Sequence, residues 1–181
     1  PEEPHIHTTR NALSQIYLRM GKIQEALSIW DEVAGQEELK LSLYNRAVEI
    51  YTEQEDYYKA LHVLTQKLKW VANSPEETST TEAILAIIRN RLSEANLHKV
   101  VSDFSSKYPA DEALIRLIYI YDEQESYYRE EKEIRRFVSF FPNHPYSEEA
   151  ENAGKAIQTK LKKNRYLIAA VLPLSGKLAP F

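Results

Sequence analysis

Histidines, paired carboxylates and paired tyrosines are the side chains whose types and spacing could do chemistry in this sequence. His5 and His7 alternate near the start and could offer two nitrogens to a metal ion. A metal site needs a third ligand and a rigid frame, and neither is within reach along the chain, so a frayed terminus is the expectation. His62, His98 and His144 stand alone and read as surface or partly buried helix residues. The pairs Glu2-Glu3, Glu37-Glu38, Glu76-Glu77 and Glu148-Glu149 could act as acid and base. All four fall where helices are expected to start, so the reading is compensation of the helix dipole, worth about 0.3–1 kcal/mol each. The run Glu130-Glu131-Lys132-Glu133-Ile134-Arg135-Arg136 reads as a solvated helix face with i,i+4 ion pairs. Tyr57-Tyr58 and Tyr127-Tyr128 could bind a peptide, but each pair reads rather as one ring packed between helices beside one half-exposed ring. With 0 cysteines there is no thiolate nucleophile or thiolate metal site. A Gly-rich phosphate loop, a G-x-S-x-G elbow and an H-E-x-x-H pair are also missing. No catalytic residue, metal or cofactor is expected, and an enzyme is the least expected class.

The elements that would position these residues are helices. The chain has 181 residues, 43% apolar and 28% charged, and only 4 glycines, few for a fold rich in tight turns. Its net charge of −4 argues against a nucleic-acid or anionic-membrane surface as the main partner. No apolar run approaches the roughly 20 residues that span a bilayer. The pattern predicts nine helices near 5–20, 22–35, 38–53, 56–72, 77–92, 94–107, 111–124, 127–141 and 145–163. Ser74-Pro75-Glu76-Glu77 reads as a cap followed by proline and acids in the first turn. Lys160, Lys162, Lys163 and Arg165 would place cations at the last helix's C-terminal end.

The helices repeat. Tyr17, Gly21, Ala26 and Trp30 recur 34 positions later as Tyr51, Glu55, Ala60 and Leu64. The stretch 53–59 returns almost literally at 123–129, an offset of 70. Leu97, Val100, Phe104 and Pro109 supply a degenerate copy between them. A tyrosine near the end of one helix, a turn-forming residue, a small alanine and then a bulky residue let two helices pack closely as a hairpin. These residues resemble the tetratricopeptide repeat, a unit of about 34 residues. The departures are Arg10 and Tyr44 in place of a first-helix tryptophan, and Glu130 where the last copy should be small. The resemblance implies an all-α solenoid of antiparallel helix pairs over residues 1–165.

After Arg165 the character changes. Residues 166–172 are an apolar run followed by Pro173-Leu174-Ser175-Gly176-Lys177-Leu178-Ala179. The run reads as a buried, parallel-type strand, and one strand needs neighbours. Residues 166–181 are therefore expected to be a linker and the first strand of a following α/β domain. They resemble the opening strand and P-L-S-G-x-x-A loop of the type I periplasmic binding proteins, the branched-chain amino-acid receptor family. That resemblance makes Ser175 a candidate for a ligand loop. Helical repeats followed by such a domain resemble the penicillin-binding-protein activator lipoproteins, and the stretch 140–150 is similar to junctions in envelope repeat lipoproteins. The chain, opening on Pro1, reads as an excised piece of such a protein.

The expected function is a non-catalytic protein-interaction scaffold. Arg10, Asn11, Tyr44, Asn45 and Arg46 are the candidates for a partner-binding face, since they lie on first helices and Asn11 and Asn45 are equivalent. The resemblance implies a periplasmic, outer-membrane-anchored location through an N-terminal lipid beyond this chain, and an envelope protein or peptide such as a peptidoglycan synthase as partner. The alternative is a spacer or dimerisation arm of an amino-acid-type receptor whose small-molecule site lies beyond residue 181. A cytoplasmic co-chaperone-like adaptor is the third reading, without an evident carboxylate clamp.

Overall fold

Three hairpin turns carry one hydrogen-bond pattern. The amide of Lys22 donates to the Tyr17 carbonyl at 2.9 Å, and the amide of Gly21 to Leu18 at 3.0 Å. Asp56 and Glu55 repeat this onto Tyr51 and Thr52, at 2.9 and 3.0 Å. Ser126 and Glu125 repeat it onto Tyr121 and Asp122, at 2.8 and 2.9 Å. The paired six-to-one and five-to-two bonds close the helix end and require a left-handed residue. Gly21, Glu55 and Glu125 hold φ of 73°, 56° and 51°. The sequence spacing thus recurs as a repeating backbone device, in which only the first copy uses the residue that adopts that conformation without cost.

These turns belong to a computed structural model that describes the backbone of residues 4–30 and 37–175 and the side chains of 6–30 and 37–162. Among the described residues every regular element is a helix: α1 Pro4–Arg19, α2 Ile23–Ser28, α3 Glu37–Glu53, α4 Tyr57–Leu68, α5 Pro75–Asn90, α6 Glu94–Phe104, α7 Ala110–Glu123, α8 Tyr127–Phe140 and α9 Ser147–Ser175. Asp56, Ser74 and Ser93 cap α4, α5 and α6 by accepting from the amides of Lys59, Glu76 and Asn96. Glu37-Glu38, Glu76-Glu77 and Glu148-Glu149 occupy first helical turns, as expected of dipole-compensating acids.

The helices form two compact units divided between Leu92 and Ser93. The division falls at the end of α5, whose C-cap lacks the left-handed turn, with Arg91 at φ −123°. In the first unit α1 packs on α2, α2 on α3, α3 on α4 and α4 on α5. Ala26 and Ala60 are both fully buried, with Trp30 and Leu64 nearly so, as the spacing requires of close helix pairs. In the second unit α6 packs on α7, α7 on α8 and α8 on α9. Phe137 centres it, its ring 5.7 Å from Phe141, 5.2 Å from His144 and 5.7 Å from Tyr146. His144 also accepts from the Tyr146 amide at 3.1 Å. It is a strut of the connection before α9.

The strand expected at 166–172 is helical instead. α9 runs without a break to Ser175, so Lys160 and Lys162 sit within the helix rather than at its end. A helix satisfies its own backbone hydrogen bonds, whereas a strand needs a neighbour that these residues do not provide. The rest of the expected loop, 176–181, lies outside the described residues.

Candidate functional site

Two clefts of the first unit lie on different sides of α3. One lies between the first helices α1 and α3, encloses about 480 Å³, and is lined by Gln15, Leu18, Arg19, Gly21, Arg46, Ile50 and Gln54. Leu18 and Ile50 give it an aliphatic floor. Gln15 and Gln54 set amides above it, groups that donate to and accept from a peptide backbone. Arg46 donates to Glu49 at 2.9 Å and lies 3.6 Å from Glu53. The Glu49 hydrogen bond, then the charge of Glu53, raises its pKa, so the guanidinium stays charged. Arg19 forms no ion pair among the described residues and is the cation open to an incoming carboxylate.

The other cleft, of about 570 Å³, is lined by Gln24, Leu27, Ser28, Tyr44, Gln66, Lys69 and Trp70. Tyr44, 5% exposed, accepts from the indole N–H of Trp70 at 3.2 Å. The buried ammonium of Lys40 stands 3.9 Å from the Trp70 ring centroid, a cation–π contact. Lys67, 8% exposed, donates to Asn45 Oδ1 at 2.8 Å.

The five candidate partner-binding residues are therefore not one face. Tyr44 and Arg46 are two positions apart, about 200° around a helix, and they line different clefts. Arg46 alone of the five lines the groove between first helices. Arg10 and Asn11 are half-buried on α1, and the Arg10 carbonyl accepts from Ser14 Oγ at 2.9 Å. Asn45 supports a buried lysine. Replacing it with Ala leaves the Lys67 ammonium, whose pKa burial already lowers, without that acceptor. Asn45→Ala is expected to cost about 1–3 kcal/mol of stability, read as a lower chemical-denaturation midpoint. Ser175 is the last residue of α9, and its side chain lies outside the described residues.

His7 stacks on Trp30, centroids 6.5 Å apart and planes within 10°. His5 has no described side chain, and among the described residues no group of three metal-binding side chains converges. Of the tyrosine pairs, Tyr127 is half-buried under the ammonium of Lys160, at 4.8 Å, and Tyr128 is 73% exposed. Tyr57 and Tyr58 are both half-buried.

The acidic run of α8 is where the sequence reading fails most. Glu130, Glu131 and Glu133 are 5%, 6% and 2% exposed, not a solvated face. Glu133 pairs with Arg136 at 2.8 Å. Glu131 makes the expected i,i+4 pair with Arg135 and accepts from Gln158 of α9 at 2.9 Å. Glu130 Oε2 has no hydrogen-bond partner among the described residues. Burial first, then Asp122, raises its pKa, with Lys160 opposing. His98, expected to stand alone, joins a chain in which Tyr121 donates to Glu94 at 2.8 Å and lies 2.9 Å from His98 Nε2. The tyrosine's one proton goes to Glu94, so Nε2 of His98 is the donor in that contact. Burial and this carboxylate push the Tyr121 phenol up to about 12. The signal available for both was the 70-position offset, which puts Glu130 at the alanine position and Tyr121 at the packed tyrosine.

No family model matches the chain, and neither curated proteins nor solved structures yield a match to it. No helix among the described residues is long and apolar enough to cross a membrane.

Proposed function

We propose that the chain is a non-catalytic scaffold that holds an extended segment of a partner protein in the groove between α1 and α3. The observation that carries this is the lining of that groove: amides and guanidiniums over an aliphatic floor, contributed by equivalent helices of two repeats. Such a surface hydrogen-bonds a peptide backbone, buries its aliphatic side chains and pairs an acidic one with Arg19. Within the solenoid and envelope reading that the sequence resemblance implies, the partner is a periplasmic protein such as a peptidoglycan synthase, and the scaffold regulates it from an outer-membrane anchor. Binding of the purified periplasmic part of such a synthase, measured by interferometry, tests both levels. Arg19→Glu with Gln54→Ala is expected to weaken it at least tenfold, about 1.4 kcal/mol, with an unchanged melting temperature. Undiminished binding by that variant would remove the groove from the reading. No binding by the parent chain would remove the synthase.

The length of α9 favours a second reading. Its 29 residues extend roughly 44 Å at 1.5 Å per residue, as suits a spacer or dimerisation arm leading to a receptor-like domain with a small-molecule site beyond residue 181.

A further inference from the structure

The cleft bordered by α2, α3 and the end of α4 encloses about 570 Å³, within the range that takes a small organic ligand. Trp70 lines it, 40% exposed yet held at three points. The Trp70 amide donates to the Lys67 carbonyl at 2.8 Å, and the next residue, Val71, is 1% exposed. The indole N–H is taken by Tyr44 at 3.2 Å. The Lys40 ammonium, on a side chain only 2% exposed, stands 3.9 Å from the ring centroid. Burying an ammonium costs desolvation, and here the contact orients a ring whose open surface borders a cavity. The repeat does not require it. Ile6, Arg10 and Gln36 stand 34 positions before Lys40, Tyr44 and Trp70.

The rest of the lining sets the chemistry of the occupant. Gln24 and Ser28 of α2 and Gln66 of α4 supply two carboxamides and a hydroxyl. Lys69 is exposed and forms no ion pair among the described residues. No carboxylate among the described residues lines the cleft. Its charge is therefore positive, which favours an anion over a cation. The indole narrows the choice further. Its N–H is engaged and its quadrupole already faces an ammonium, so a second cation or a sugar C–H gains little from it. A planar π system still gains, by offset stacking.

We infer that this cleft binds a small aromatic carboxylate. The ring of the ligand stacks on Trp70, its carboxylate pairs with Lys69, and the amides of Gln24 and Gln66 meet its polar edge. The site lies on the other side of α3 from the groove between α1 and α3. Binding here is a property separate from the scaffold reading, and neither proposal depends on the other.

The probe is indole-3-acetate, with tryptamine as the same ring carrying a cation instead. The chain has 2 tryptophans, so the isotope-labelled protein gives two indole N–H signals by NMR, and Trp70→Phe identifies the one in the cleft. Indole-3-acetate is expected to move that signal saturably, with a dissociation constant of about 1 mM or below. The signal of Trp30, 2% exposed, is expected to stay in place. Tryptamine is expected to bind at least tenfold more weakly. Lys69→Glu is expected to weaken indole-3-acetate at least fivefold, with the melting temperature changed by no more than about 2 °C. No saturable movement of the Trp70 signal overturns the inference. So does tryptamine binding as tightly as indole-3-acetate, which would leave only an apolar cleft, and so does undiminished binding by Lys69→Glu.

Discussion

Replacing Trp30 with Ala is expected to lower the stability of the first unit by about 3–5 kcal/mol. The indole is 2% exposed, and its N–H donates to Ser14 Oγ at 2.8 Å in a buried contact. Ser14 in turn donates to the Arg10 carbonyl, so its hydroxyl is both donor and acceptor and is held in one orientation. His7 stacks against the same ring. Truncation opens a cavity between α1 and α2 and leaves the Ser14 oxygen with an unmet acceptor. Trp30→Phe separates the two contributions, because most of the volume stays and only the hydrogen bond goes, at about 1 kcal/mol. Urea denaturation followed by circular dichroism reads both. A loss below about 1 kcal/mol for the Ala variant would mean that Trp30 does not fill the hairpin, and the register of the first repeat would fall with it.

Glu130→Ala is expected to act in the opposite direction, stabilising the second unit by about 1–3 kcal/mol at neutral pH. The carboxyl is buried at the position where Ala26 and Ala60 let their helices approach, and one of its oxygens is unpartnered among the described residues. The folded state raises its pKa. Folding therefore favours the protonated form, and its contribution is least unfavourable at low pH. As pH rises from below the ordinary carboxylate value through the raised folded one, the wild-type chain loses stability relative to the variant. Melting temperatures of both proteins from pH 4 to pH 8 should diverge upward through that window. Parallel curves, or a wild type that stays the more stable at pH 8, would show that the carboxyl has a partner and that the burial is compensated.

What could be read from the sequence was what depends on spacing along one helix pair. Tyr17 and Tyr51, Ala26 and Ala60, and Trp30 and Leu64 each recur at 34 positions, and the hairpins follow from them. What could not be read depends on neighbours distant in the chain. Charge alone put Glu130, Glu131 and Glu133 in solvent, but α7 and α9 flank α8 and bury them. Adjacency in sequence grouped Tyr44, Asn45 and Arg46, whereas helical rotation sends the first and last to different clefts. The apolar run 166–172 was equally compatible with a strand and a helix, since a short run has no period to decide between them. The backbone continues it as α9.

The three left-handed turns also set where this chain can change length. In each, six positions separate the packed tyrosine from the first residue of the next helix: Tyr17 to Ile23, Tyr51 to Tyr57 and Tyr121 to Tyr127. One residue inserted there would rotate the following helix by about 100° and carry Ala26, Ala60 or Glu130 off the contact. The step from the second of these turns to the third is 70 positions rather than twice 34, so the two additional residues lie outside them. A change of length is thereby excluded from these three turns, whereas the helices beyond them differ in length, α2 spanning Ile23–Ser28 and α4 Tyr57–Leu68.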